Sequence, residues 1–121
     1  MTIDVPPKSR GGVLCVRMSG DVDLSSNWDL SLVTPRIRET GAHTIFLDVR
    51  PVTFFGSTVV NFLVHLLNAG PGSRIVVCRP SPMARRVIAA LPLPAQISMR
   101  PDLPPEWVEP PITPRPLPVA S

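Results

Sequence analysis

Seventeen of the 121 residues are proline, and eight of them fall between Pro101 and Ser121. Each proline fixes φ and removes a backbone donor, so one inside a helix costs about 3 kcal/mol and one inside a sheet loses a ladder bond. Regular structure is therefore confined to the windows between prolines, and the useful windows all lie before residue 100. The pattern predicts one folded domain over residues 1–100 and a proline-rich tail over 101–121, extended as polyproline II or disordered. The tail holds the P-x-x-P matches PDLP and PITP, which are nearly unavoidable at this proline density and carry no argument for an SH3-type ligand. Without a periodic apolar face, its removal from residue 103 onward is expected to leave the thermal midpoint nearly unchanged. Trp107, Val108, Ile112 and Leu117 stand against that, since they could lie along the domain.

The windows alternate in character. Residues 1–12 can supply at most a short edge strand. Val13–Met18 is short and β-rich, and Ser19-Gly20-Asp21 turns the chain. Ser25 or Ser26 can cap a helix through Trp28, Leu30, Leu32 and Val33. Pro35 predicts a kink or restart near Thr34, and Gly41 ends the segment. Thr44–Val49 is a second strand, apolar enough for burial on both faces. Apolar residues at 59, 60, 62, 63, 66 and 67 mark one face of a helix. Arg74–Cys78 is a third strand. Ser81 and Pro82 open a helix that buries Met83, Ala84, Val87, Ile88 and Leu91. Ala95–Met99 is a last short strand. Strands and helices in this order, with short connections, predict an α/β fold: a mixed, largely parallel four- to five-stranded sheet with helices mainly on one face.

Composition removes several function classes. The net charge of +3 divides into +5 over residues 1–100 and −2 over 101–121. The basic residues are scattered, with no run interleaved with aromatics, which argues against direct nucleic-acid binding. No apolar run approaches a membrane span, and the N-terminal residues lack a signal-peptide core, so the chain reads as cytoplasmic. Cys15 and Cys78 sit inside apolar stretches and read as small buried hydrophobes. With His43 and His65 they have no metal-site spacing, and no cofactor motif is present. No nucleophile, base or phosphate-binding loop forms a catalytic set.

One stretch remains to be explained. In "FFGSTVVNFLVHLL", residues 54–67, two large apolar segments are joined by Gly56, Ser57 and Thr58. Ser57 has two readings. It can be the N-cap of the following helix, a role favoured over Ala by about 1 kcal/mol. It can also be a place where the protein is modified.

Three segments together resemble STAS domains of the anti-sigma factor antagonist type. "VLCVRMSGDVDL" is similar to the family's opening strand followed by Gly, an acid, an apolar residue and Asp, here Gly20, Asp21, Val22 and Asp23. "IFLDVRPVTFFGSTVVNFL" is similar to a strand ending in Leu-Asp-apolar, a Val-Thr-Phe turn and a regulatory serine that opens a helix. Leu47, Asp48, Val49, Val52, Thr53, Phe54 and Ser57 carry that likeness. "RIVVCRPSPMARRVIAAL" resembles the next strand and helix, with its Pro-Ser-Pro opening and paired arginines. The resemblance covers roughly residues 10–100. Two positions depart from it: Gly56 stands where phosphorylated members carry Asp, and Val59 where they carry Gly.

The resemblance implies a binding protein and not an enzyme. The unphosphorylated antagonist would bind an anti-sigma factor that is also a serine kinase, freeing a sigma factor. Phosphorylation of Ser57, with Thr58 a weaker candidate, would break the complex, and a phosphatase would restore it. Asp21, Asp23, Gly56, Ser57 and Thr58 would form the partner surface, Asp23 having also a capping role open to it, and Asp48 would be structural. A phosphate adds about −1.5 to −2 charges, which a helix N-terminus accommodates and a surface shaped for a neutral hydroxyl does not. The competing expectation is a STAS subunit of a scaffold or a transporter-associated assembly, which has the same fold and no phospho-switch.

Overall fold

A computed structural model describes residues 1–112. Six strands form one sheet: β1 (Thr2–Asp4), β2 (Val13–Val22), β3 (Thr44–Asp48), β4 (Val52–Phe55), β5 (Arg74–Cys78) and β6 (Ile97–Arg100). Three helices accompany them: α1 (Asn27–Glu39), α2 (Ser57–Asn68) and α3 (Pro82–Ala89). The strand order is β1-β2-β3-β5-β6, with β4 paired to the far end of β2. Only the β1–β2 pairing is antiparallel. The parallel α/β architecture is as expected, and the two strands beyond four are β1 and β4.

The alternation of side chains along the central strands divides the core. Leu14, Val16 and Met18 of β2, Ile45 and Leu47 of β3, and Ile75 and Val77 of β5 point to one face. There they meet Leu30, Val33 and Ile37 of α1, six buried apolar residues of α2, and Ala84 and Ile88 of α3. Cys15, Phe46, Val76 and Cys78, the intervening residues, point to the other face. Among the described residues no helix covers that side. Leu103 and Trp107 do, from a segment that has neither helix nor strand. The continuous apolar character of β3 thus does mean burial on both faces, but the second cover is the proline-rich segment. Pro104 and Pro110 are themselves buried. Of the four apolar tail residues expected to be able to lie along the domain, Trp107 does so, joined by Leu103, while Val108 and Ile112 stay exposed. Leu117 lies outside the described residues.

Two local expectations are corrected. Ser19-Gly20-Asp21 is not a turn that ends the first strand. β2 runs on to Val22, and its register with β4 shifts between Gly20 and Asp21. Gly20 has φ of +82°, a backbone state costly for residues with a Cβ, so the glycine makes a bulge that re-aims the strand end. Pro35 neither kinks α1 into two helices nor restarts it, since α1 is continuous through it. The missing N–H leaves Ser31 without its helical donor, but Ser31 and Pro35 are both exposed, so water reaches that carbonyl. The neighbouring hydroxyls fold back on the helix: Thr34 Oγ1 donates to the Leu30 carbonyl at 3.1 Å and Ser31 Oγ to that of Trp28 at 2.6 Å.

Candidate functional site

The bulge at Gly20 brings two chain segments side by side. Beyond it, Asp21 pairs with Phe54 and Val22 with Phe55, so the ends of β2 and β4 lie together. The chain leaves β2 through Asp23 and leaves β4 through Gly56. Val52–Phe55, expected as a turn, is the strand that makes this edge. It is short and only Phe55 is fully buried, which is why its sequence lacks the apolar run that marks β3.

The two acids are held differently. Asp21 is exposed and accepts a hydrogen bond from Thr53 Oγ1, which ties the β2 end to the β4 end. Asp23 caps a 3-10 turn over Leu24–Ser26, accepting from the Ser25 backbone N–H at 3.0 Å and from its hydroxyl. These bonds to Ser25 hold its carboxyl below its ordinary pKa. The capping role expected for Asp23 is thus present, one turn ahead of α1.

At the start of α2 the N-cap is Gly56, not Ser57. Ser57 is the first residue with helical geometry, is exposed, and has no capping duty. Gly56 is extended (φ −126°, ψ −162°), so its conformation does not demand glycine. What stands in the way of a side chain there is Phe54: a Cβ on Gly56 would lie 3.0 Å from the Phe54 ring. A side chain at position 56 would require that ring, on a residue 54% exposed, to shift. Thr58 points the other way. It is 4% exposed and lines a groove of about 500 Å³ between α1 and α2, with Leu30, Thr34, Phe62 and His65. Asp21, Asp23, Gly56 and Ser57 are therefore brought to one edge, and Thr58 faces inward from it. No acid lies in the first turn of α2 itself.

Asp48 belongs to a separate cluster. Its side chain is wholly buried at the end of β3, where Arg17 Nε reaches Oδ2 at 2.9 Å, Arg79 Nε reaches Oδ1 at 3.0 Å, and the Arg50 backbone N–H donates at 3.2 Å. Burial alone would raise the Asp48 carboxyl, but the hydrogen bonds from Arg79 and Arg17 together outweigh it and hold the pKa below the usual value. Arg79 adopts φ of +55° to reach it. Arg17 continues outward to Glu109, making hydrogen bonds to both carboxylate oxygens, and lies 5.4 Å from the centre of the Trp107 ring. The Glu109 bond is the main reason the Arg17 pKa is raised. One buried carboxylate therefore connects three strands and anchors the segment that covers the second sheet face. The structural reading of Asp48 holds; its two arginine partners were not recognised, because residues 31 apart in sequence give no local signal.

Both cysteines are buried and free. Burial pushes the Cys78 thiol up to about 12 and also raises that of Cys15, so neither is a thiolate near neutral pH. Among the described residues no cluster of His, Cys, Asp and Glu could hold a metal ion, and no helix is long and apolar enough to cross a membrane.

The STAS domain family model matches residues 4–104. Among solved structures, the fold is similar to that of the anti-sigma factor antagonist SpoIIAA in its unphosphorylated form, with a TM-score of 0.60. The sequences are 19% identical, and the likeness covers 81% of this chain and 86% of that one. No curated protein sequence matches the chain.

Proposed function

The chain belongs to the STAS domain family, and from that membership we propose that it is an anti-sigma factor antagonist switched by phosphorylation of Ser57. Unphosphorylated, it binds an anti-sigma factor that is also a serine kinase, in the cytoplasm, and a sigma factor is released. The kinase then phosphorylates Ser57 and the complex ends; a phosphatase resets it. The protein acts by being bound and modified, not by turnover. The partner surface is Asp21, Asp23, Gly56 and Ser57, within residues 1–100. Thr58, buried between two helices, is reached only if that groove opens, so Ser57 is the acceptor.

The observation that carries this reading is the division of labour at the start of α2. Gly56 takes the cap, which leaves the Ser57 hydroxyl exposed and unneeded for the fold. A phosphate there meets a helix N-terminus, which favours an anion. The fold survives while a partner surface that had matched a neutral hydroxyl must desolvate or repel about −1.5 to −2 charges.

Binding of one anti-sigma kinase to three proteins tests it. Ser57→Ala is expected to bind like the wild type and take no phosphate. Ser57→Asp is expected to fold normally and bind on the order of 100-fold more weakly, about 2.7 kcal/mol. If both variants bind like the wild type and the wild type takes no phosphate from that kinase, the switch does not exist, and the chain is a STAS domain outside the switching cycle.

A further inference from the structure

The structure leaves α1 with a second apolar stripe that its own core does not use. Leu30, Val33 and Ile37 face inward. Leu24, Trp28 and Leu32, spaced four apart from the 3-10 turn into α1, are 77%, 73% and 52% exposed. A tryptophan that exposed forgoes burial of roughly 150 Å² or more, and a contiguous apolar patch of this kind marks an interaction surface.

We propose that this stripe is the contact of a homodimer, with α1 of one copy packed antiparallel on α1 of a second. The charges around the stripe select that occupant. Its N-terminal end carries Asp21 and Asp23, Asp29 flanks it next to Trp28, and its C-terminal end carries Arg36. A two-fold contact is self-complementary, each end of one helix meeting the opposite end of the other. Setting Trp28 of each copy against Leu32 of the other brings each Arg36 to the Asp23–Leu24 end of its partner copy. Arg36 is exposed and enters none of the ion pairs among the described residues. Both bonds that Asp23 accepts from Ser25 fall on Oδ1, so Oδ2 has capacity left. The acidic end opposes an anionic lipid surface, which would want basic flanks throughout. The segment up to Ile112 lies on the opposite face of the sheet and does not cover the stripe.

Size sets the strength. Three side chains from each copy, with their flanks, bring the buried area to roughly 1,000 Å², the lower bound for a biological interface. An interface this small is at the weak end of the biological range, so the dimer is expected to form reversibly.

Sedimentation equilibrium of the full chain from about 1 to 500 µM tests the proposal. The wild type is expected to shift reversibly from monomer to dimer. Trp28→Asp and Leu32→Lys, both at exposed positions, are expected to stay monomeric throughout with an unchanged circular dichroism spectrum. Arg36→Asp should weaken dimerisation by roughly ten-fold, and Asp23→Arg in the same chain should recover most of it, because the swap restores the pair across the two-fold axis. A wild type that remains monomeric at 500 µM overturns the proposal. So does a Trp28→Asp protein that still dimerises. If the wild type is monomeric and Trp28→Asp loses an anti-sigma kinase, the stripe belongs to that partner and the homodimer is wrong.

Discussion

The edge at Ser57 and the cluster around Asp48 both lie where strands end, and they are built on opposite terms. At the edge, polar groups are exposed and lightly held: one hydrogen bond joins Thr53 to Asp21, Asp23 caps a single turn, and Ser57 caps nothing. Around Asp48, the carboxylate is wholly buried and hydrogen-bonded by two arginines and a backbone N–H, and one of those arginines holds a further chain segment. The difference teaches how to tell a structural acid from a functional hydroxyl. A group whose bonding capacity is filled by the fold is unavailable to a partner. One that the fold leaves unused can be changed without unfolding the protein.

Substitutions should separate the two regions, and Asp48 should give the largest effect. Asp48→Ala leaves two guanidinium groups without their buried partner, and breaking such an arrangement costs about 3–5 kcal/mol. Arg17 and Arg79 are each about a quarter exposed and can turn to water, so the lower end, about 3 kcal/mol, is expected. A thermal midpoint within about 4 °C of the wild type would show that the cluster contributes little.

Cutting the chain after residue 100 should come next. It uncovers Cys15, Phe46 and Val76 and removes Trp107 and Leu103 from contact. The midpoint should fall by more than about 4–8 °C, the shift expected for roughly 1 kcal/mol. This runs against the expectation, drawn from the missing periodic apolar face, that removal from residue 103 onward leaves the midpoint nearly unchanged. An unchanged midpoint would mean that the covering segment adds no stability.

Acid should discriminate more gently. The folded Asp48 carboxyl lies below its unfolded value, so its contribution is complete above that unfolded value and is lost as pH falls through the folded one. Below about pH 4 the wild type should lose stability faster than Asp48→Asn, measured by denaturant midpoints at each pH. Parallel curves would remove Asp48 as the source.

Ser57→Ala should have the smallest effect. With the cap on Gly56, the loss should stay within about 0.5 kcal/mol, less than removal of a capping side chain costs. A loss above about 1 kcal/mol would place Ser57 among the structural groups and weaken the contrast.

The elements that could be read from the chain alone are those whose burial is continuous or strictly periodic. β3 and β5 announce themselves through unbroken apolar runs, and α2 through its one-sided spacing. Ser57 stood out because three small residues interrupt two apolar segments. Other features depend on contacts between residues far apart. β4 is a strand because β2 bends toward it at Gly20, and the cap passes to Gly56 by the local backbone angles. The exposed stripe on α1 was hidden by counting Trp28 and Leu32 with Leu30 and Val33 as one apolar set. Placing them on a 100° wheel separates the two faces. The role of residues 101–112 was masked by proline, which rules out helix and central strand but not packing: an extended chain can still lay Leu103 and Trp107 on a sheet.

That last arrangement has a consequence for the order in which the protein is made. All six strands and three helices of the described residues precede residue 101, so the second cover is the last part of that structure to leave the ribosome. Until Leu103 and Trp107 leave the exit tunnel, Cys15, Phe46 and Val76 face water as an apolar surface. Arg17 meanwhile waits with one side on Asp48 and the other unoccupied. Closure comes when Glu109 reaches Arg17. A chain cut short near residue 100 would leave that face of the sheet bare, and such chains would meet through it.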